Sequence, residues 1–233
     1  MVELSRFGVI ARAKALLAGL LLSACALAPQ RAGHDRLASA QVLALMQSLN
    51  ADLLSHDSAT LTLERWCAAH HLAEPARIVA QRVHGDAKPL PPTLRERLAI
   101  AADEPVAYRR VRLACGTHVL SEADNWYVPG RLTADMNHRL ETTDEPFGKV
   151  VRALGFQRRT IAAELLWSPL PAGWEMSPQV DAERAPLRIP HALLRHEAVL
   201  NTAAQQPFSV VVETYTNQVL DFGPWAARLS NDP

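Results

Sequence analysis

A hairpin organises the chain: Tyr108-Arg-Arg-Val-Arg-Leu-Ala-Cys115 leads through the turn Gly116-Thr117 to Ser121-Glu-Ala-Asp-Asn-Trp-Tyr-Val-Pro129. Two runs of alternating side chains around a two-residue turn predict paired antiparallel strands. The first run carries three arginines and the second carries Glu122 and Asp124. These charges fit either the solvated face of a sheet or an anion-binding site on a rigid hairpin, and the pattern leaves both open.

Length and composition favour one folded domain that binds a small ligand. The chain has 233 residues, 48% hydrophobic and 21% charged, which is enough for one sizeable core. Lys+Arg and Asp+Glu number 24 each, so the balanced charge argues against a nucleic-acid partner. Cys67 and Cys115 lack the C-x-x-C spacing of a zinc site, and they fit a disulfide or two reduced thiols equally well. We expect no metal and no cofactor.

Residues 1–24 have the charge pattern of a secretory leader. Three basic residues precede the apolar run 15–22, which is too short to span a bilayer. The run ends in Leu22-Ser-Ala-Cys25, which resembles a bacterial lipobox and implies a lipid anchor at Cys25. Because no Asp follows Cys25, the pattern predicts a lipoprotein of the outer membrane that faces the periplasm. A plain signal peptide or a misassigned start codon is the alternative.

The rest of the chain divides into a tether at 25–38, a domain at 39–217 and a C-terminal tail at 218–233. Apolar spacing predicts a helix from Ser39 and another after the capping pair Asp57-Ser58. Alternating side chains predict further strands at 76–84, 156–167, 192–202 and 208–216.

Glu213 lies in the apolar run of the last predicted strand, where Val211, Glu213 and Tyr215 share one face. A carboxylate there is costly to bury unless it is paired. The expected partner is an arginine from 109–112, because a guanidinium binds a carboxylate through two parallel contacts. Such a pair fits a small aromatic or cyclohexadiene carboxylate as ligand. A buried salt bridge without a ligand is equally compatible with the residues.

Three motifs in order resemble the chorismate pyruvate-lyase family. The family's spacing of arginine, cysteine and proline is matched by Arg110, Cys115 and Pro129, its next helix start by Pro146-Phe147-Gly148, and its last strand by 207–213. The resemblance implies an α+β, chorismate lyase-like fold: a six-stranded antiparallel sheet with helices packed on one side.

The same resemblance implies a substrate site. In it Arg110, helped by the backbone at Phe147 and Gly148, would hold the ring carboxylate, and Glu213 would contact the ring oxygen. Ala59 takes the place of a methionine of the family that lines the pocket, and Asn125 takes the place of an arginine.

Three hypotheses for function follow from these residues. The first is a lyase that splits chorismate into 4-hydroxybenzoate and pyruvate, with Arg110 and Glu213 as catalytic residues. The second is a non-catalytic periplasmic module that binds a small aromatic or phenolic acid, since related folds serve as ligand-sensing domains in transcriptional regulators. The third is an envelope scaffold that uses the fold only structurally.

Overall fold

The computed structural model describes residues 28–176 and 187–230. The predicted leader and Cys25 lie outside the described residues, so lipidation and an envelope location stay predictions. In the part of the chain that is described, no helix is both long and apolar enough to cross a membrane. The described chain divides into two compact units, of which residues 28–41, 169–176 and 187 form one and 42–168 with 188–230 form the other.

Six antiparallel strands form a single sheet in the larger unit, in the order β1-β2-β3-β6-β5-β4. The strands are β1 Ile78–Arg82, β2 Ala107–Cys115, β3 His118–Tyr127, β4 Gln157–Leu165, β5 Ala192–Asn201 and β6 Pro207–Thr216. The predicted α+β fold class with a six-stranded antiparallel sheet is therefore confirmed. The predicted hairpin β2-β3 meets a second hairpin, β5-β6, at the centre of the sheet, where β3 pairs with β6.

Five α-helices occur within the described residues. They are α1 Ala28–Leu54, α2 Ala59–Ala69, α3 Pro92–Leu98, α4 Ala134–Thr142 and α5 Phe147–Val150. Short 3-10 helices occupy Pro129–Arg131, Val151–Leu154, Trp174–Met176, Asn217–Leu220 and Gly223–Arg228.

The segment predicted as a tether is helical from Ala28 onward, because α1 begins there rather than at Ser39. Pro29 and Gly33 had suggested an irregular segment. Pro29 falls in the first turn of α1, where the missing N–H of a proline costs no hydrogen bond. A single glycine costs a helix only about 1 kcal/mol, which is too little to end it.

The helices lie mainly against one face of the sheet, here called the pocket face. Met136 and Leu140 of α4 and Val150 of α5 pack there against Tyr127 of β3. Helix α3 is the exception, because Leu94 and Leu98 belong to a cluster on the opposite face with other residues, namely Trp126, Val199 and Val210. The structure also joins Cys67 at the end of α2 to Cys115 at the end of β2 in a disulfide.

Register determines which side chains meet on the pocket face. In β2, Arg109 and Val111 alternate with residues that face the other way, and their direct cross-strand partners on β3 are Asn125 and Ala123. Ala123 in turn lies opposite Glu213 of β6. The hairpin and the last strand therefore bring charged and apolar side chains onto one continuous surface beneath the helices.

Candidate functional site

A cavity of about 50 Å³ lies on the pocket face, beneath the first residues of α2 and α5. Its floor is formed by strand residues, and its roof by Asp57 to Thr60 and by Phe147 and Gly148. Of the sixteen lining residues, eight have apolar side chains and seven are polar or charged. The polar strand residues that line it are Arg109, Asn125, Arg158 and Glu213.

Arg109 is a buried cation that forms no ion pair with a carboxylate among the described residues, although the more distant charge of Asp144 acts on it. It is 5% exposed, and its Nη2 donates to the backbone oxygens of Thr143 at 3.3 Å and Glu145 at 3.0 Å. Its Nε and Nη1 are buried and have no hydrogen-bond partner. Burial, followed by repulsion from Arg82, lowers the pKa of Arg109 to about 10, so the guanidinium is still charged at neutral pH.

The loop between α4 and α5 holds the Arg109 guanidinium in place. Its own geometry is fixed by Arg139, whose Nε and Nη2 donate to the two carboxylate oxygens of Glu145 at 3.0 and 2.6 Å. The backbone N–H of Ala80 donates to Asp144 O at 3.0 Å, which ties the same loop to β1. The loop whose carbonyl oxygens accept hydrogen bonds from Arg109 is therefore held in place by both Arg139 and β1.

A second arginine in the cavity is paired. Arg158 of β4 reaches across β5, and its Nη2 lies 2.6 Å from Glu213 Oε2, with both side chains buried. Tyr215 Oη donates to the same carboxylate oxygen at 3.1 Å. Burial, and next the Glu213 charge, raise the pKa of Tyr215 well above its ordinary value, so the tyrosine keeps its proton. Glu213 thus has the partner that its burial requires, but that partner is Arg158.

Helix α2 begins directly above these groups. Ser58 caps it, since its Oγ accepts a hydrogen bond from the Leu61 N–H at 3.3 Å. Ala59 and Thr60 follow in the first turn, where backbone N–H groups have no acceptor within the helix. Both residues are buried and line the cavity, so α2 directs the positive end of its dipole towards it.

The residues expected at the site from sequence separate into two groups. Ala59, Phe147, Gly148 and Glu213 all line the cavity. Arg110 does not: its side chain is 39% exposed on the opposite face, near Glu122 at 3.7 Å and Asp124 at 4.0 Å.

Alternation along β2 would have identified the correct arginine. Arg109 shares its face with the apolar residues Val111 and Leu113, whereas Arg110 shares its face with Tyr108 and Arg112. The apolar face of a strand is the one that packs against a core. Arg109 is therefore the arginine that this pattern assigns to the interior. The motif spacing of Arg110 and Cys115 had pointed to its neighbour instead.

The arrangement favours small anions over cations. Three charged side chains are buried in the cavity wall. Arg158 and Glu213 neutralise each other, so the positive charge of Arg109 is the net charge of the three. Asp57 lies exposed at the rim, where it accepts the Arg158 backbone N–H at 2.8 Å. An anion inside the cavity could take both free donors of Arg109.

The chain is 55% identical to the uncharacterized protein y4mC of Sinorhizobium fredii over 188 residues, 80% of this chain and 79% of that protein. No protein-family model matches it. Among solved structures it is similar to PhnF from Mycobacterium smegmatis, with 12% identity, a TM-score of 0.44, and coverage of 76% of this chain and 67% of that one.

Two further solved structures come from transcriptional regulators. One is a GntR-family regulator from Enterococcus faecalis, with 12% identity, a TM-score of 0.39, and coverage of 62% of this chain and 97% of that one. The other is a ligand-binding domain from Bordetella bronchiseptica assigned to the GntR family, with 18% identity, a TM-score of 0.38, and coverage of 60% and 82%. At such identities and TM-scores, the similarity transfers no ligand and no role to this chain.

The identification as a member of the chorismate pyruvate-lyase family was wrong, whereas lipidation at Cys25 stays a prediction because that residue lies outside the described residues. The similar structures are those of regulator domains rather than of lyases. Its central motif also fails physically, because Arg110 faces away from the cavity.

Proposed function

The chain belongs to the same family as the uncharacterized protein y4mC of Sinorhizobium fredii, and from its cavity we propose that it is a binding module for a small organic anion. The name of that relative states no activity, so the proposal stands on the geometry of this chain. The site consists of Arg109, the start of α2 and the apolar floor of the sheet.

The observation that carries the proposal is the unpaired state of Arg109. A buried guanidinium with two unmet donors is costly, because each buried donor without a partner costs about 1–3 kcal/mol. A carboxylate that enters the cavity would accept hydrogen bonds from these donors and supply the missing negative charge. The free energy lost in the empty protein would then contribute to ligand affinity.

The size of the cavity favours a short acid. About 50 Å³ holds on the order of three to five water molecules. A cavity that binds benzene measures about 150 Å³, so an aromatic acid requires the cavity to widen. Acetate matches the cavity as it stands, and a three-carbon acid such as lactate requires less widening than an aromatic acid. The aromatic ligand expected from sequence is therefore the second choice.

Binding is favoured over catalysis because Glu213 is already engaged. Its carboxylate accepts from Arg158 and from Tyr215 inside the protein. Removing it for chemistry would leave Arg158 buried and unpaired, which typically costs about 3–5 kcal/mol. We therefore assign Glu213 to the structure of the cavity wall, where it also offers an acceptor to a hydroxyl of the ligand.

The test is thermal unfolding of the purified protein with increasing lactate, pyruvate or benzoate. A ligand at 100 times its dissociation constant stabilises the folded state by about 2.7 kcal/mol, which shifts Tm measurably. We expect the shift in the wild type and in Arg110→Gln, and its loss in Arg109→Gln. Arg110→Gln is the matched control, because it removes the same charge from the adjacent position on the other face. A shift that survives in Arg109→Gln would contradict the proposal.

A further inference from the structure

Asn125 places a second hydrogen-bond donor beside Arg109. The two residues are direct cross-strand partners on β2 and β3, so their Cβ atoms are about 5 Å apart on the pocket face. Both line the cavity, and Asn125 is 4% exposed. Any anion that reaches Arg109 therefore also meets the Asn125 amide.

Ser209 determines which end of this amide faces the cavity. Its Oγ donates to Asn125 Oδ1 at 2.6 Å, and both side chains are buried. No acceptor in the described part of the chain takes the Asn125 Nδ2–H groups, so they remain available to a ligand. An amide turned the other way would offer its oxygen to Arg109 and compete with the anion. Ser209 holds that oxygen away.

The charge of the site is set by the same residues. Arg158 and Glu213 neutralise each other at 2.6 Å, which leaves Arg109 as the single uncompensated buried charge among the described lining residues. Asn125 adds donors without adding charge. A ligand with one negative charge is matched, whereas a second negative charge would be buried near Glu213 without a cation of its own.

We infer that Asn125, oriented by Ser209, is a specificity-determining residue that makes the site selective for short monocarboxylates over dicarboxylates. This inference rests on the proposed function and names its ligand class. Asn125 contacts the ligand, and Ser209 is a positioning residue that acts through Asn125.

Calorimetric titration with lactate and malonate tests the inference, since both are three-carbon acids and they differ by one charge. In the wild type we expect lactate to bind at least about tenfold more tightly. Asn125→Asp keeps the shape of the side chain but puts a carboxylate opposite Arg109. It should abolish lactate binding while Tm stays the same or rises.

Ser209→Ala supplies an independent measurement with a small change in volume. Loss of the bond that orients the amide should weaken lactate binding about tenfold, the value of one hydrogen bond to a charged group. Thr214→Val, on the opposite face of the same strand, is the control and should bind lactate like the wild type.

The outcomes separate the inference from the proposed function. Equal affinities for lactate and malonate, with binding still lost in Arg109→Gln, overturn the inference and leave the anion site standing. Unchanged lactate binding in both Asn125→Asp and Ser209→Ala does the same. If wild-type protein binds neither lactate, malonate, pyruvate nor benzoate, the proposed function fails and the inference with it.

Discussion

Replacing Arg109 with methionine should stabilise the protein while it abolishes anion binding. The pKa of Arg109 falls from its ordinary value to about 10, mainly through burial. That fall corresponds to about 3 kcal/mol by which the folded state disfavours the charge. Methionine also loses the two bonds that Arg109 donates to backbone oxygens, at about 1 kcal/mol each. The net increase of about 1 kcal/mol in the free energy of unfolding should raise the Tm of Arg109→Met by about 2–4 °C.

Urea unfolding at pH 7 directly measures the difference in the free energy of unfolding between the wild type and Arg109→Met. Arg110→Met is the control, and its exposed position predicts a change within about 0.5 kcal/mol. Above pH 10 the difference in stability should narrow, because folded Arg109 loses its proton there while an unfolded arginine, whose pKa is higher, keeps its own. Wild-type stability therefore rises with pH across that window. Saturating lactate should reverse the order, since only the wild type gains from the ligand.

One result would refute this reasoning. If Arg109→Met loses about 3–5 kcal/mol, Arg109 behaves like one partner of a buried ion pair. The guanidinium would then have an internal anion, and its role would be structural rather than ligand binding.

Three further predictions concern the cavity wall, the disulfide and a buried histidine. A methyl group on Gly148 would lie 3.5 Å from Ser58 Oγ, which is an ordinary contact, so Gly148→Ala should leave Tm unchanged. Because Gly148 lines the cavity, the variant should bind lactate about tenfold more weakly in a titration. If it binds lactate as tightly as the wild type, the ligand lies elsewhere. The Cys67–Cys115 disulfide spans 48 residues, so Cys115→Ser should lower the free energy of unfolding in urea by about 4 kcal/mol. Equal stability of the wild type and Cys115→Ser would contradict this prediction. Burial, and next a neighbouring arginine, lower the pKa of His196 below its ordinary 6.5. Below pH 6.5 the histidine is protonated in the unfolded chain and neutral in the folded protein, so the free energy of unfolding should fall as the pH drops. Urea titrations at several pH values should show a smaller fall for His196→Gln than for the wild type.

Much of the fold could be predicted from local pattern, and the partner of Glu213 could not. The β2-β3 hairpin follows from alternation around a two-residue turn, and the N-cap of α2 follows from Ser58. The strand order, however, depends on packing between distant segments. Only because β4 lies beyond β5 at the edge of the sheet can Arg158 reach Glu213. Nothing in the sequence near Arg158 distinguishes it from Arg159 as that partner.

The choice between Arg109 and Arg110 is a different case, because the sequence contains the answer. A shift of one residue moves a side chain to the other face of a sheet, so a motif match that is wrong by one position reverses the assignment. Val111 and Leu113 identify the inner face of β2, and Arg109 lies on it. Face assignment from alternation is thus a stronger guide than motif spacing when two candidates are adjacent.

The other arginines of this fold explain why the unpaired state of Arg109 points to a ligand. Two other arginines whose side chains are largely buried have carboxylate partners: Arg131 lies 2.8 Å from Glu104, and Arg158 lies 2.6 Å from Glu213. Arg109 is buried, as is the side chain of Arg158, yet its hydrogen-bond partners among the described residues are two backbone carbonyls. A neutral asparagine stands directly opposite it, where an aspartate would complete an ion pair. A protein selected for stability alone would gain from that aspartate, whereas a protein that must bind an external carboxylate has to leave the position neutral.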